Sequence, residues 1–489
     1  MTEKPADERR FRLALAAVTL GGLALRVADV LVLRPTRASG GGYVIAGDSL
    51  YYHFQANALA DGLGYIVPLG TDLRPVVAGS ELITPSAAHP PLYSTYLALW
   101  SWLGVDSITG HRLASCLVGA ATVALVGLLA RRLAPSDHAD RVGLGAAAVA
   151  ALYPGLWIND GVLLSETVAV FTVTLAVAAA YAFWRRPDPL RAGLLGAAIG
   201  LAALSRSEAI ALVVLVAVPL ALLARDRSWG RRLGVAAVSC GTAMLVLSPW
   251  LVHNLARFEE PVLLTSSTGV VLSGASCDGA WYGDRIGSYA DCFDPRLLSD
   301  ATQAELCGRI GRPDDCLATQ SGVDAVVVSL RDPRLYDESE SDQPYAEQAR
   351  SYIGDHLGRL PVVVAARVGR VWGLYAPVQN TRLDIEIENR GRAPSWAGLL
   401  AYWALLPLAV AGLWSMRRRG LPILPFLAVA LTVTLAAGAT FGVTRYRATA
   451  EGLLVVAAAL GADATLRRLR LRRASSPGAD EPSPPSSAG

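Results

Sequence analysis

The residues of this chain whose types could do chemistry are few, and they recur at the edges of apolar runs. Asp48 opens the stretch GDSLYYHFQANALADGLGY, and His89 precedes a Pro-Pro pair in HPPLY. Glu166 follows Ser165 at the head of one apolar run, and Arg206 and Glu208 sit between two others. Arg445, Tyr446 and Arg447 open the last run, with Glu451 one turn further on. A carboxylate that is partly desolvated gains proton affinity and can take a proton from a hydroxyl. Guanidinium groups hold phosphate through paired hydrogen bonds. Asp48 as base, Arg445 and Arg447 as first phosphate ligands and Arg206 as second therefore fit transfer of a group from a phosphate-activated lipid carrier to a hydroxyl. Because the phosphate is already activated, one displacement with inversion needs no covalent enzyme intermediate.

His89, Tyr52, Tyr446 and Glu166 complete the candidate substrate contacts. Two other readings stay open. Asp48 can be the N-cap of a helix starting near Ser49, and His89 can cap the helix that Pro90 and Pro91 introduce. No tight Asp/Glu/His spacing here would hold a divalent ion by itself, so no metal ligand is assigned.

What must position these groups follows from composition. With 53% hydrophobic and 17% charged residues and a mean hydropathy of +0.38 over 489 residues, the chain is too apolar for a soluble domain and reads as an all-α polytopic membrane protein. The net charge of +3 is small and its basic residues fall in short clusters between apolar runs, which excludes a nucleic-acid-binding face. Spanning-length runs lie near 11–33, 108–130, 142–157, 162–184, 190–205, 207–224, 232–251, 396–415, 421–440 and 448–466, about ten in all. The first run is too long and lacks the small-residue cleavage site of a signal peptide, so it reads as a retained span.

Basic clusters at Arg9–Arg12, Arg131–Arg141, Arg185–Arg191, Arg225–Arg232, Arg417–Arg419 and Arg467–Arg473 all fall on one side, which predicts both termini in the cytoplasm of a plasma-membrane protein. Asp48 and His89 then lie in an outer loop, 34–107, of an N-terminal membrane module, 1–251. A second outer segment spans 252–395, C-terminal membrane helices follow over 396–473, and the Pro/Ser-rich tail 474–489 reads as disordered. Arg26 and Asp29, three apart at the end of the first run, join the charged groups on the outer side. Mutual pairing or snorkelling accounts for any one of these groups; their sharing one side favours a common polar cavity. The stretch HLGRLPVVVAARVGRVWGLYAP, broken by Arg367 and Arg370, reads as a helix lying along the interface.

Cys116 and Cys240 lie in apolar runs, whereas Cys277, Cys292, Cys307 and Cys316 share the second outer segment. Outside the cytoplasm two disulfides are expected, and chain order favours Cys277–Cys292 and Cys307–Cys316. A zinc site competes with this reading, but no C-x-x-C pair supports it.

The order GDSLYYHFQANALADGLGY, HPPLY, LLSETVAV, GLAALSRSEA, SPWLVHNLARFEEPV and TRYRATAEGLLVVAA resembles the lipid-phosphate-sugar-dependent GT-C glycosyltransferases, in the branch of protein O-mannosyltransferases and aminoarabinose transferases. The resemblance covers most of the chain, the Cys-containing segment least. It implies a GT-C fold with amphipathic helices in the first outer loop, a polyprenyl-phosphate sugar as donor substrate with no certain cofactor, and inverting transfer to an outer acceptor: protein, glycolipid or cell-wall glycan. It matches the family's catalytic acid to Asp48, its basic residue before Pro-Pro to His89, and its phosphate-side Arg to Arg445 or Arg447. Members often carry a second acid directly after the first; here that position is Ser49. The rival from another class, a transporter or lipid-carrier flippase, predicts ionisable residues near mid-span and two related halves. A non-catalytic envelope scaffold leaves the one-sided charges unexplained.

Overall fold

The computed structural model describes residues 5–34, 47–70, 74–79, 83–223, 228–290, 292–312, 316–332 and 334–474. The tail from 475 and the basic residues Arg225 and Arg227 lie outside the described residues. Among those described the secondary structure is helical, with only two isolated bridges, Ile66–Pro85 and Leu69–Pro75, in the first outer loop.

Among the described residues six helices are long and apolar enough to cross a membrane: α1 (Asp7–Leu33, its last turn a π-helix), α4 (Ile108–Leu133), α6 (Glu166–Arg185), α9 (Trp229–Leu255), α13 (Arg392–Arg418) and the last, α15, over Thr444–Arg470. Three shorter apolar helices accompany them: α7 (Pro189–Ser205), α8 (Ser207–Leu222) and α14 (Leu424–Ala439). The chain is thus a multi-pass membrane protein. The run expected as a span over 142–157 is instead a 14-residue helix, α5 (Ala139–Leu152), followed by one turn at Pro154–Trp157 and a buried irregular stretch leading to α6.

The ends of these helices are marked in the sequence. Ser107 caps α4 by accepting from the Gly110 N–H, and Asp188 caps α7 by accepting from Arg191, with Pro189 in the first turn. The interior is rich in alanine: Ala130, Ala146, Ala147, Ala150, Ala180 and Ala202 are fully buried. Small side chains let helices approach where no hydrophobic force separates protein from lipid. Between α13 and α15 the approach is backbone to backbone, since a Cβ on Gly412 would collide with the Ala457 carbonyl and one on Gly461 with that of Leu408.

The charged helix ends sort into two groups. Arg131 Nη1 lies 2.8 Å from Glu8 and its Nε 2.6 Å from Asp140, and His138 lies 2.8 Å from Asp463. This joins the start of α1, the end of α4, the start of α5 and the far end of α15. Asp48, Glu166, Arg206, Glu388 and Arg445 gather at the opposite ends.

On that second side, the first outer loop contributes α2 (Asp48–Ala60) and α3 (Leu92–Trp102). The segment from about 256 to 391 forms short helices and α10 (Glu338–Asp355), α11 (Leu360–Val371) and α12 (Pro377–Ile387). Cys277 pairs with Cys292 and Cys307 with Cys316, at Cα separations of 5.7 and 5.8 Å, the pairing that chain order favours. The stretch expected along the interface forms α11, but its arginines turn inward. Arg367 donates to the carbonyls of Ala275 (2.8 Å) and Gly438 (3.1 Å), and Arg370 to that of Ile286 (2.6 Å) and to Asn380 (2.7 Å). They bind carbonyls of the outer segment and of the end of α14 rather than reaching for headgroups.

Candidate active site

Asp48 is the first residue of α2, and Gly47 before it takes φ +54°, a backbone state that glycine adopts at no steric cost. Gly47 occupies the cap position, so the N-cap reading of Asp48 does not hold; its carboxylate points elsewhere. Ser49 donates to the buried carbonyl of Val162 at 2.6 Å, pinning the start of α2 to the stretch before α6. That bond gives a physical reason for a hydroxyl at position 49, because a carboxylate there would face a carbonyl oxygen.

Asp48 Oδ2 lies 2.9 Å from Arg445 Nη2. The same guanidinium places Nε 2.7 Å from Glu166 Oε1 and Nη1 3.0 Å from Glu388 Oε1. Arg206 reaches Glu166 at 3.1 Å and Glu208 at 2.8 Å, and lies over the Tyr446 ring at 4.9 Å. His89 Nε2 is 3.6 Å from Asp48 Oδ1, and its ring packs on those of Tyr51 and Tyr52, with centroids 4.8 and 4.9 Å away. The helix after Pro90-Pro91 has Pro91 at its cap position and no side-chain cap bond, so His89 does not cap it. Asp48, His89, Arg206, Arg445, Tyr446, Tyr52 and Glu166 are thus brought together, as the one-sided charges predict.

Arg447 is not with them. It is buried, paired with Glu451 at 2.7 Å and stacked 3.7 Å over Tyr402, and it donates to the Val371 carbonyl. Arg26 and Asp29 do not pair with each other either: Arg26 meets Asp160 at 2.7 Å, and Asp29 faces Arg34 at 3.6 Å.

The electrostatics of the cluster are tightly balanced. Burial acts to raise the Asp48 carboxyl, but the Arg445 guanidinium, with smaller help from His89 and Arg206, outweighs it and holds the group at about 2. Burial pushes the His89 imidazole below its ordinary range, and Arg445 and Arg206 add to this against Asp48, so His89 is neutral at pH 7. The depression of Asp48 therefore rests on Arg445. Desolvation raises Glu388, only partly offset by Arg445 and Arg390, and burial keeps the Tyr52 hydroxyl protonated. Four carboxylates (Asp48, Glu166, Glu388, Glu208) face two guanidinium groups here, and Glu166 Oε2 is buried without a partner. Asp48 keeps about a third of its side-chain surface open, against none for Glu166. It is thus the carboxylate of this pair that a substrate can reach.

Glu388 escaped the sequence reading. It lies within a largely polar run, IEIENRGR, with no apolar stretch directly beside it to mark a membrane edge. The next residue, Asn389, has φ +50°, an uncommon state for a side-chain-bearing residue. Among the described residues no group of three or more His, Cys, Asp or Glu is arranged to hold a metal ion.

The fold is that of the GT-C glycosyltransferases. A family model described as dolichyl-phosphate-mannose-protein mannosyltransferase matches residues 88–253. The structure is similar over 96% of the chain to the archaeal oligosaccharyltransferase AglB from Archaeoglobus fulgidus, solved with an inhibitory peptide and a dolichol-phosphate, at a TM-score of 0.51 and 15% identity. The chain spans about half the length of that enzyme, 52% of which is covered. ArnT from Cupriavidus metallidurans, solved with undecaprenyl phosphate, matches over 91% of this chain and 78% of its own at a TM-score of 0.37 and 17% identity. Among curated proteins no sequence matches. The family-model match and the shared fold bear out the resemblance to GT-C glycosyltransferases read from the sequence.

Proposed function

We propose that this chain is an inverting glycosyltransferase that moves a sugar from a polyprenyl-phosphate donor to a hydroxyl outside the cytoplasm, with Asp48 as general base. The family-model match and the GT-C fold support transfer of a lipid-linked sugar. The observation that carries the mechanism is the contact of Asp48 with Arg445, with His89 on its other oxygen. In this reading the donor phosphate takes Arg445 and Arg206, and Tyr446 and Glu166 hold these two cations in place. His89 donates to the phosphate, and Tyr52 supports its ring. The acceptor oxygen attacks the anomeric carbon and the bond from that carbon to the phosphate oxygen breaks. Polyprenyl phosphate leaves with the bonding pair, and the acceptor proton passes to Asp48.

Arg445 makes the timing of this step depend on the donor. While Asp48 is held on Arg445 it is a poor base. A donor phosphate competing for Arg445 releases it, and burial alone then acts to raise its proton affinity. The membrane module 1–251, the outer segment 252–395 and the helices of 396–473 each supply part of this site, at Asp48, Glu388 and Arg445 respectively. The basic helix ends support a plasma-membrane location with both termini cytoplasmic. The sugar is a hexose or pentose, and the acceptor is a protein, glycolipid or cell-wall glycan.

The test is to incubate purified protein in nanodiscs with a panel of radiolabelled polyprenyl-phosphate sugars and membrane extract, then identify what is labelled. Labelled acceptor from wild type and none from Asp48→Asn is the expected result. Normal turnover by Asp48→Asn removes Asp48 from the mechanism.

A further inference from the structure

Behind the Asp48 cluster lies a cavity, walled largely by apolar groups with several charged and polar side chains among them, that this mechanism does not use. Its volume is about 50 Å³, room for three to five waters at roughly 10–15 Å³ each and so comparable to one small sugar ring. Asn159, Asp384, Arg390, Ser395, Arg447 and Glu451 line it, on a floor of Pro154, Gly155 and Gly398. Thr444 also lines it and is the neighbour of Arg445, while Arg390 stands two residues beyond Glu388. The same two chain segments thus serve both sites with alternate residues.

Two side chains on the cavity wall carry unpaired polar atoms. The Arg390 side chain is about nine-tenths buried, and its Nε and Nη2 have no hydrogen-bond partner; Asp384 is 3.8 Å from Nη1, and Glu388 also feels its charge. Asn159 is buried and uses its Nδ2 on the Gly155 carbonyl at 3.1 Å, leaving Oδ1 without a donor. Buried guanidinium and amide atoms left unpaired are costly, and here unpaired donors and an unpaired acceptor border one space.

The wall also limits what enters. Asp384 and Glu451 balance Arg390 and Arg447, so a ligand with net charge would have to be taken out of water without a counter-charge. Arg447 is committed to Glu451 at 2.7 Å, and Glu451 accepts from the Tyr153 hydroxyl at 2.6 Å. Asp384 accepts from the Thr444 hydroxyl. What fits is a neutral group that both donates and accepts at several points, which is the chemistry of a hydroxylated ring.

We propose that this cavity binds one neutral monosaccharide unit, its hydroxyls accepting from Arg390 Nε and Nη2 and donating to Asn159 Oδ1. The proposal rests on the glycosyltransferase reading for the origin of that sugar, which belongs either to the lipid-linked donor or to a glycan acceptor. Its binding test does not depend on turnover.

Saturation-transfer NMR on full-length protein in nanodiscs, with methyl mannoside, methyl glucoside and methyl arabinoside as probes, reads the cavity directly. Wild type and Asp48→Asn are expected to show transfer to at least one glycoside. Ser395→Phe, which fills the space, and Arg390→Gln, which removes the unpaired donors, are expected to lower the signal at least tenfold with unchanged thermal unfolding. No transfer to any glycoside in wild type means a cavity that holds water only and overturns the proposal. So does an equal signal in wild type and a folded Ser395→Phe.

A second arm separates the two sources by comparing the affinity of sugar-carrying polyprenyl phosphate with that of the bare carrier. If the cavity takes the donor sugar, the ratio falls in Ser395→Phe; if it takes an acceptor sugar, the ratio holds and only the free glycoside signal is lost. Glycoside binding without any transfer activity would sink the enzyme reading and leave the sugar pocket standing.

Discussion

Arg445 and Arg447 stand two residues apart at the head of one helix and do opposite things. Arg445 is shared among Asp48, Glu166 and Glu388 at a partly open cluster. Arg447 is buried against Glu451 and the Tyr402 ring and lines a separate cavity. At 3.6 residues per turn, positions i and i+2 are about 200° apart, so side chains that alternate with one residue between them diverge on a helix. Reading TRYR as a pair of equivalent phosphate ligands applies the period of a strand to what is the first turn of α15. The contrast teaches that only one of the two cations is placed to meet the carboxylate proposed as base.

The largest effect should come from the carboxylate side of that contrast. Asp48→Asn keeps the shape and removes the base, and transfer should fall by about 10²–10⁴-fold, with donor affinity unchanged or slightly tighter because Arg445 is freed. Binding of labelled donor and single-turnover transfer, measured on the same preparation, separate the two. A variant that loses binding and transfer together would make Asp48 a structural residue of the site.

The two arginines should then part company. Arg445→Gln is expected to weaken donor binding by about tenfold or more, the loss of a charge-assisted contact of about 1.5–3 kcal/mol. Arg447→Gln leaves Glu451 buried without its cation, which typically costs about 3–5 kcal/mol of stability. It should lower the unfolding temperature while donor affinity in the folded fraction stays near wild type. The reverse pattern, with Arg447 controlling affinity and Arg445 stability, would move the phosphate to the cavity side of the helix.

The pH profile sharpens the same point. With Arg445 in place, free-enzyme Asp48 stays ionised down to about pH 2, so kcat/KM should show no acid limb from this group between pH 7 and mildly acid conditions. In the donor-bound enzyme the phosphate occupies Arg445, the depression of Asp48 is lifted, and kcat should fall at a higher pH as the base becomes protonated. Arg445→Gln leaves burial opposed only by the weaker pull of His89 and Arg206 and should bring an acid limb into kcat/KM as well. Matching profiles for kcat and kcat/KM in wild type, both flat, would remove the exchange of Arg445 between Asp48 and the donor.

Much of this arrangement was legible. Glu166, Arg206 and Arg445 each sit where a charged residue interrupts or borders an apolar run, and burying charge at such an edge is costly enough to mark a site; Asp48 and His89 stood out instead in the outer loop, after Gly47 and before the Pro90-Pro91 pair. The cysteine pairing followed from chain order because each pair closes a short local loop. What stayed hidden had no such contrast. Glu388 lies in an already polar run, and Asp160, the buried partner of Arg26, sits in the short stretch between two expected spans. Both cap readings failed for a local reason: Gly47 and Pro91 occupy the cap positions, one residue before Asp48 and two after His89.

The smallest effect concerns how the neutral imidazole is held beside Asp48. Glu338, at the start of α10, accepts from the Ser86 hydroxyl (2.6 Å), the Ala87 N–H (2.8 Å) and the Ser266 hydroxyl (2.7 Å). Ser86 also meets the Tyr51 hydroxyl at 2.9 Å, and Tyr51 packs on His89. The outer segment thereby grips the turn that carries His89 from the far side. Burial raises the Glu338 carboxyl, and the hydrogen bonds from Ser86, Ser266 and Ala87 pull against that rise. Glu338→Gln should be nearly silent, because the amide oxygen can accept from Ala87 and Ser266 while its NH₂ donates to Ser86. Glu338→Leu leaves the Ala87 N–H without an acceptor and should raise the donor KM a few-fold with kcat little changed, together with faster hydrogen exchange over residues 86–89. If Glu338→Leu exchanges faster there but keeps its KM, the grip serves stability alone and His89 is placed by its two tyrosines.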